Sequence, residues 1–229
     1  MNIAENLKRV RYRIQNTCSR VGRNEDDVIL IAVSKTVNAE AITTAVECGV
    51  KHIGENRIQE AEKKINQLGN VATWHLIGHL QTNKVKKAVQ LFNFIHSVDS
   101  LRLAQEISRR AVQFEKEIQC LIEVNTSLEN SKFGVAQENT LDLVKQISLL
   151  PGIRVQGLMT VGAFLPDPED VRPCFKILKN LSEQIVSAGL EGVEMKYLSM
   201  GMTNDFEVAI EEGANMIRVG RAIFGERNY

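Results

Sequence analysis

The sequence predicts an α/β protein, a single (β/α)8 TIM-type barrel preceded by an extra N-terminal helix. Eight short apolar runs alternate with segments of helical periodicity, and that alternation points to parallel strands joined by helical crossovers. Eight such units are the number that closes a barrel. The first run, residues 28–34, holds six apolar residues in seven, as expected of a strand buried on both faces. Nearly every run ends in a polar or small residue, and in this fold the working groups collect at C-terminal strand ends.

The elements follow in order. Ile3, Leu7, Val10 and Ile14 fall at helical spacing and form the extra helix, placed to cap the bottom of the barrel. The first strand, residues 28–34, leads to a helix through Ile42, Ala45 and Val46 that stops at Gly49, a C-cap glycine. Residues 51–54, 73–78 and 94–98 are the next three strands. Leu101, Ala104, Ile107 and Ala111 make the following apolar stripe. The fifth strand, 118–124, precedes a helix through Leu141, Val144 and Ile147 that ends before Pro151-Gly152. The sixth strand, 154–160, runs into a Pro- and Asp-rich loop at 165–170. A long helix through Phe175, Leu178, Leu181 and Ile185 then ends near Gly189, and the last strands are 195–200 and 215–220. Without linker, repeat or low-complexity tract, residues 1–229 are read as one domain. An open doubly wound sheet is the competing architecture, but no GxGxxG follows the first strand.

Composition narrows the partners. Twenty-eight basic residues balance 28 acidic ones, so no global field attracts nucleic acid or an anionic membrane. The basic cluster Lys84-Val-Lys-Lys87 reads as a solvated helix face. Four scattered cysteines, Cys18, Cys48, Cys120 and Cys174, offer no CxxC pair and no metal spacing. No run reaches membrane-spanning length and the opening lacks a signal-peptide pattern. A cytoplasmic, reduced protein is expected.

Lys35 is the most telling residue. It stands where a buried apolar strand ends, and burial favours the neutral amine, the form that attacks a carbonyl to make a Schiff base. The bland alternative is a strand-end lysine reaching to water. After the seventh strand, Leu198-Ser-Met-Gly-Met-Thr-Asn-Asp205 offers the hydroxyls of Ser199 and Thr203 and a close turn at Gly201. Strand eight ends in Arg218-Val-Gly-Arg221, and phosphate sites recur after strands seven and eight of such barrels. A turn with a helix cap would explain the first segment alone. A carbonyl-reactive lysine opposite a phosphate cradle points to pyridoxal 5′-phosphate. His75 and His79 are four residues apart, but on a strand and its loop that spacing makes no common face. No carboxylate or cysteine completes a shell, so no metal is expected.

Taken together, Ala32-Val-Ser-Lys-Thr36, Gly54-Glu-Asn-Arg-Ile-Gln-Glu60, the run Trp74 to Lys84 and His96-Ser-Val-Asp99 resemble the pyridoxal phosphate homeostasis protein family. Ser131-Lys-Phe-Gly134, Gly157-Leu-Met-Thr160, Leu198 to Thr203 and Val219 to Gly225 continue the match across the chain. This family consists of single-domain relatives of the alanine racemase N-terminal barrel. The resemblance implies a carrier that buffers pyridoxal 5′-phosphate, serves vitamin B6 homeostasis and is not an enzyme of substantial activity. It places the Schiff base on Lys35, the phosphate near Ser199, Gly201 and Gly220, Arg218 opposite the pyridine nitrogen, and Asn56 and His75 beside the ring, with a cap and a packed strand histidine as the alternatives for these two. Lys132 is a candidate relay for the cofactor; an exposed loop lysine is the alternative. Apo enzymes that use the cofactor are the recipients implied, and a monomer is expected. Val37 stands where some relatives carry a lysine, which removes any relay needing that amine. The alternative is a pyridoxal-phosphate-dependent amino-acid racemase of low activity. Two-base racemisation needs a group on each face, and none of Tyr12, Tyr197 and Tyr229 sits in a motif for the second.

Overall fold

The computed structural model describes residues 2–127, 129 and 132–226. Its eight strands close into a parallel barrel in chain order. They are β1 (Ile29–Val33), β2 (His52–Glu55), β3 (Thr73–Leu76), β4 (Phe94–Val98), β5 (Ile118–Glu123), β6 (Ile153–Met159), β7 (Val193–Met202) and β8 (Met216–Val219). The seam closes through Ile29 opposite Met216 and Ile31 opposite Arg218. Every strand falls on one of the eight expected runs. The seventh is longer than expected and carries Gly201 and Met202 as ladder residues.

The helices are α1 (Ile3–Arg20), α2 (Ala39–Glu47), α3 (Ile58–Leu68), α4 (Val85–Leu91), α5 (Leu101–Gln113), α6 (Thr140–Ser148), α7 (Arg172–Ser187), α8 (Phe206–Glu211) and α9 (Arg221–Phe224). Asn2 and Asn38 cap α1 and α2 with side-chain oxygens accepting main-chain N–H groups. Two apolar regions result, as a two-sided strand requires. The larger lies between strands and helices, around Trp74, Phe175 and Phe206. The smaller fills the barrel itself, with Ile31, Phe94, Leu121, Met159 and Met216 packed together.

The extra helix corrects one expectation. Instead of closing the bottom, α1 runs along the outer wall. Asn6 Nδ2 donates to Ile223 O near the C-terminal end of β8 (3.0 Å), and Arg23 in the turn after α1 donates to Ala214 O, below β8's start (2.9 Å). Between them Arg13 makes a two-pronged ion pair with Glu207 of α8. The reason is geometric: α8 has six residues and α9 four, too short to cover their strands, and α1 supplies the missing apolar face with Leu7, Val10 and Ile14.

Candidate functional site

At the C-terminal ends of the strands lies a cavity of about 560 Å³, whose wall includes Lys35, Asn56, Thr203, Asn204, Arg218 and Gly220. Val33, Ile77, Met202, Phe164 and Leu165 add its apolar part. That volume lies in the range of about 300–1,000 Å³ found for small-molecule sites. The structure thus brings four of the expected residues, Lys35, Asn56, Arg218 and Gly220, into one cavity.

Lys35 is held by its neighbours. Ser34 O accepts from Val37 N (2.9 Å), closing a tight turn, and also from Lys64 Nζ (2.6 Å). On the other side Thr36 N donates to Glu60 Oε1 (2.5 Å). Thr36 takes a φ of 63°, unusual for a β-branched residue. Lys64 also bonds Glu55 (2.7 Å) and Glu60 (2.6 Å), and the Ser34 hydroxyl donates to Glu55. Burial pushes the Glu55 carboxyl upward, and the Lys64 and Ser34 hydrogen bonds pull it back. Lys64 and Glu60, a turn apart on α3, therefore grip the main chain on both sides of Lys35. Val37 is half-buried beside this turn.

Arg218 rises from β8 with its guanidinium almost wholly buried. One nitrogen donates to Ser199 Oγ (2.7 Å) and another to Thr160 O (2.7 Å). Burial lowers its pKa to about 10, against the opposing pull of Asp205 and Glu123, so it stays cationic near neutrality. Asn56 contributes an amide whose Oδ1 is buried without a partner among the described residues. An amine, a guanidinium, the Thr203 and Asn204 turn and a glycine wall form a donor set suited to a phosphorylated carbonyl compound.

Three expected contacts lie elsewhere. Ser199 is fully buried beneath Arg218 and is not part of the cavity wall. Gly201 serves packing: a Cβ there would come 2.5 Å from Ala209 Cβ and 2.9 Å from Phe206 Cα, at a φ of 89°. His75 points into the barrel below the cavity, stacked on Phe94 with centroids 5.0 Å apart. Its two nitrogens meet His52 (3.0 Å) and His96 (2.9 Å), which leaves no polar atom for a ligand. Burial drives its pKa to about 3, so the ring is neutral.

Lys132 borders a neighbouring hollow of about 180 Å³ that shares Val161 with the main cavity. Its Nζ donates to Gly162 O (2.5 Å) and pairs with Glu129 (2.9 Å). Ser131 of its motif and Tyr229 lie outside the described residues. Tyr12 is exposed, Tyr197 packs in the lower barrel interior, and among the described residues no tyrosine lines the cavity. No group of three or more His, Cys, Asp or Glu side chains placed to hold a metal ion occurs among the described residues, and none of their helices is long and apolar enough to cross a membrane.

The sequence motifs include Glu60 and His96 without marking a role for either, and Lys64, His52 and Glu123 were missed. The i,i+4 spacing of Glu60 and Lys64 on a helix was a legible signal. Nothing local marked Glu123, which is buried at the end of β5 with Oε2 unpaired and its pKa raised to about 7 by burial and by Asp99.

Comparison with known proteins gives a consistent result. Residues 5–228 match the family described as alanine racemase, N-terminal domain. The pyridoxal phosphate homeostasis protein of Aquifex aeolicus is 46% identical over the full length of both chains. Its Escherichia coli K12 counterpart is 35% identical over all of this chain and 98% of its own. Among solved structures, PipY of Synechococcus elongatus PCC7942 with PLP bound is 34% identical, with a TM-score of 0.86, covering 98% of this chain and 100% of PipY. A Clostridium difficile alanine racemase, at 17% identity and a TM-score of 0.75, shares the fold over 57% of its length.

Proposed function

The chain belongs to the alanine racemase N-terminal domain family and, within it, to the pyridoxal phosphate homeostasis proteins; on that premise we propose that it binds pyridoxal 5′-phosphate. It carries and buffers the cofactor, and so contributes to intracellular vitamin B6 homeostasis without substantial catalytic turnover. The observation that carries this reading is the placing of Lys35 and Arg218 in the wall of one cavity, with Thr203, Asn204 and Gly220 beside them.

When bound, the cofactor supplies an aldehyde that condenses with an amine. Lys35 is the amine this chain offers, fixed in its turn by Lys64 and Glu60. Thr203, Asn204 and Gly220 offer short polar side chains and accessible main chain to the phosphate. Arg218 is the donor offered to the ring nitrogen. As a permanent cation it disfavours a proton there, which weakens the ring as an electron sink. Phe164 and Leu165 give the cavity an apolar rim. A carrier needs nothing more, whereas a two-base racemase needs an acid–base group opposite Lys35.

The PipY complex with PLP and the family name of the relatives support this reading. We take residues 1–229 as one cofactor-binding domain, acting as a monomer in the cytoplasm and passing the cofactor to apo enzymes, with Lys132 as a relay in the adjoining hollow.

The test incubates the purified, loaded protein with L-alanine, L-serine or L-threonine and measures the D-enantiomer. It then measures delivery of the cofactor to an apo enzyme. Reactivation without racemisation is expected. Appreciable turnover that disappears in Lys35→Ala would make the protein an enzyme. Equal delivery rates for wild type and Lys132→Ala would remove Lys132 from the handover.

A further inference from the structure

Below the cavity, four side chains join Arg218 to the opposite end of the barrel. Arg218 donates to Ser199 Oγ (2.7 Å), Ser199 Oγ meets His96 Nδ1 (3.0 Å), His96 Nε2 meets His75 Nδ1 (2.9 Å), and His75 Nε2 meets His52 Nδ1 (3.0 Å). Ser199, His96 and His75 are fully buried. His52, the first residue of β2, is half-buried and opens on a hollow at the lower face bordered by Arg11, Glu25, Asp26 and Lys51.

We propose that His52, His75, His96 and Ser199 form a hydrogen-bond chain of one fixed polarity that holds the Arg218 guanidinium in place. That makes His52, remote from the cavity, a positioning residue for it. The polarity follows from the one member that cannot change roles. A guanidinium only donates, so Ser199 Oγ accepts from it; among the described residues His96 Nδ1 is the one acceptor the buried hydroxyl hydrogen can reach, and it turns there. His96 then carries its hydrogen on Nε2 and gives it to His75 Nδ1. His75 in turn carries hydrogen on Nε2 and gives it to His52 Nδ1. A second proton on His75 or His96 would set donor against donor within the chain. Burial agrees, pushing both rings far toward the neutral form, with Arg218 adding to the effect at His96. At His52 burial comes first and Lys51 second, in the same direction. Stacking on Phe94 fixes the plane of the central ring, and bonds of one polarity reinforce each other in a low-dielectric interior. The consequence for the cofactor rests on the function proposed above; the chain itself does not.

Nitrogen-15 correlation spectroscopy of the cofactor-free protein tests the chain directly. His75 and His96 should each show a neutral ring with hydrogen on Nε2, unchanged from mildly acidic to mildly basic pH. A hydrogen on Nδ1 of either ring, a mixture, or a cation overturns the proposal. A second arm compares His52→Gln, whose carbonyl can still accept from His75, with His52→Leu, which cannot. The leucine variant should lose the single tautomer at His75, lower affinity for pyridoxal 5′-phosphate by about tenfold and shift the absorption band of the loaded protein. The glutamine variant should restore all three. Unchanged tautomers in His52→Leu would overturn the chain. Changed tautomers with an unchanged band and affinity would overturn the positioning role of His52. Because the first arm uses empty protein, failure of the chain is distinguishable from failure to take up the cofactor.

Discussion

Lys35 is held by contacts to its neighbours' main chain. Lys64 Nζ takes the carbonyl before it and Glu60 the N–H after it, so α3 governs a residue that β1 delivers. Lys64 is also the counter-charge for buried Glu55. Removing one partner of a buried pair leaves the other uncompensated, at a cost of about 3–5 kcal/mol. Lys64→Met should therefore destabilise the protein by that order in urea denaturation. It should also slow covalent capture of the cofactor; an unchanged capture rate would break the link between α3 and Lys35. Glu123 gives a pH-dependent prediction. Burial, and after it the charge of Asp99, push its carboxyl up from the ordinary 4.5 to about 7. A raised acid folds best when protonated, so its favourable state is complete below about 4.5 and lost as pH rises through about 7. Glu123→Gln should accordingly gain stability above neutral pH, by at most about 3 kcal/mol, and gain little at acid pH. Melting temperatures across that range read the difference; a parallel offset at all pH values would contradict it.

At the scale of elements, the cavity depends on how closely neighbouring loops approach. Gly78, just after β3, lies against the residue that ends the β2 turn. A Cβ there would sit 2.5 Å from Asn56 O and 2.8 Å from Asn56 Cα. Those atoms are main chain and cannot swing aside. Gly78→Ala should therefore displace Asn56 from the wall, at about 1–3 kcal/mol of stability, and weaken cofactor binding by about tenfold. Equilibrium dialysis against pyridoxal 5′-phosphate checks the second effect. Gly201 does the same service between β7 and α8, where its positive φ and the nearness of Ala209 and Phe206 exclude a larger residue. The helix layer shows the converse problem, since α8 and α9 leave strand surface uncovered. There α1 supplies both apolar cover and the Arg13–Glu207 and Arg20–Glu211 ion pairs. These pairs are half exposed and contribute little to stability; the burial of Leu7, Val10 and Ile14 holds α1 in place.

At the scale of the whole molecule, the barrel was legible because strand burial on two faces and helical periodicity are local signals. The placing of α1 was not, because it depends on the shortness of helices two hundred residues later. The same division runs through the site. Lys35 and Arg218 announced themselves by ending apolar strands, and both reach the cavity. Ser199 and His75 also stand on strands, but the pleat turns them inward, beneath the cavity. Only closure of the barrel through Ile31 opposite Arg218 determines which strand residues meet at the mouth. The carrier function depends on one covalent fact. Borohydride reduction of the protein loaded with pyridoxal 5′-phosphate, followed by peptide mapping, reads it directly. A single pyridoxyl group on Lys35, absent from Lys35→Ala, is expected. An unmodified Lys35, or the label on another lysine, would contradict it.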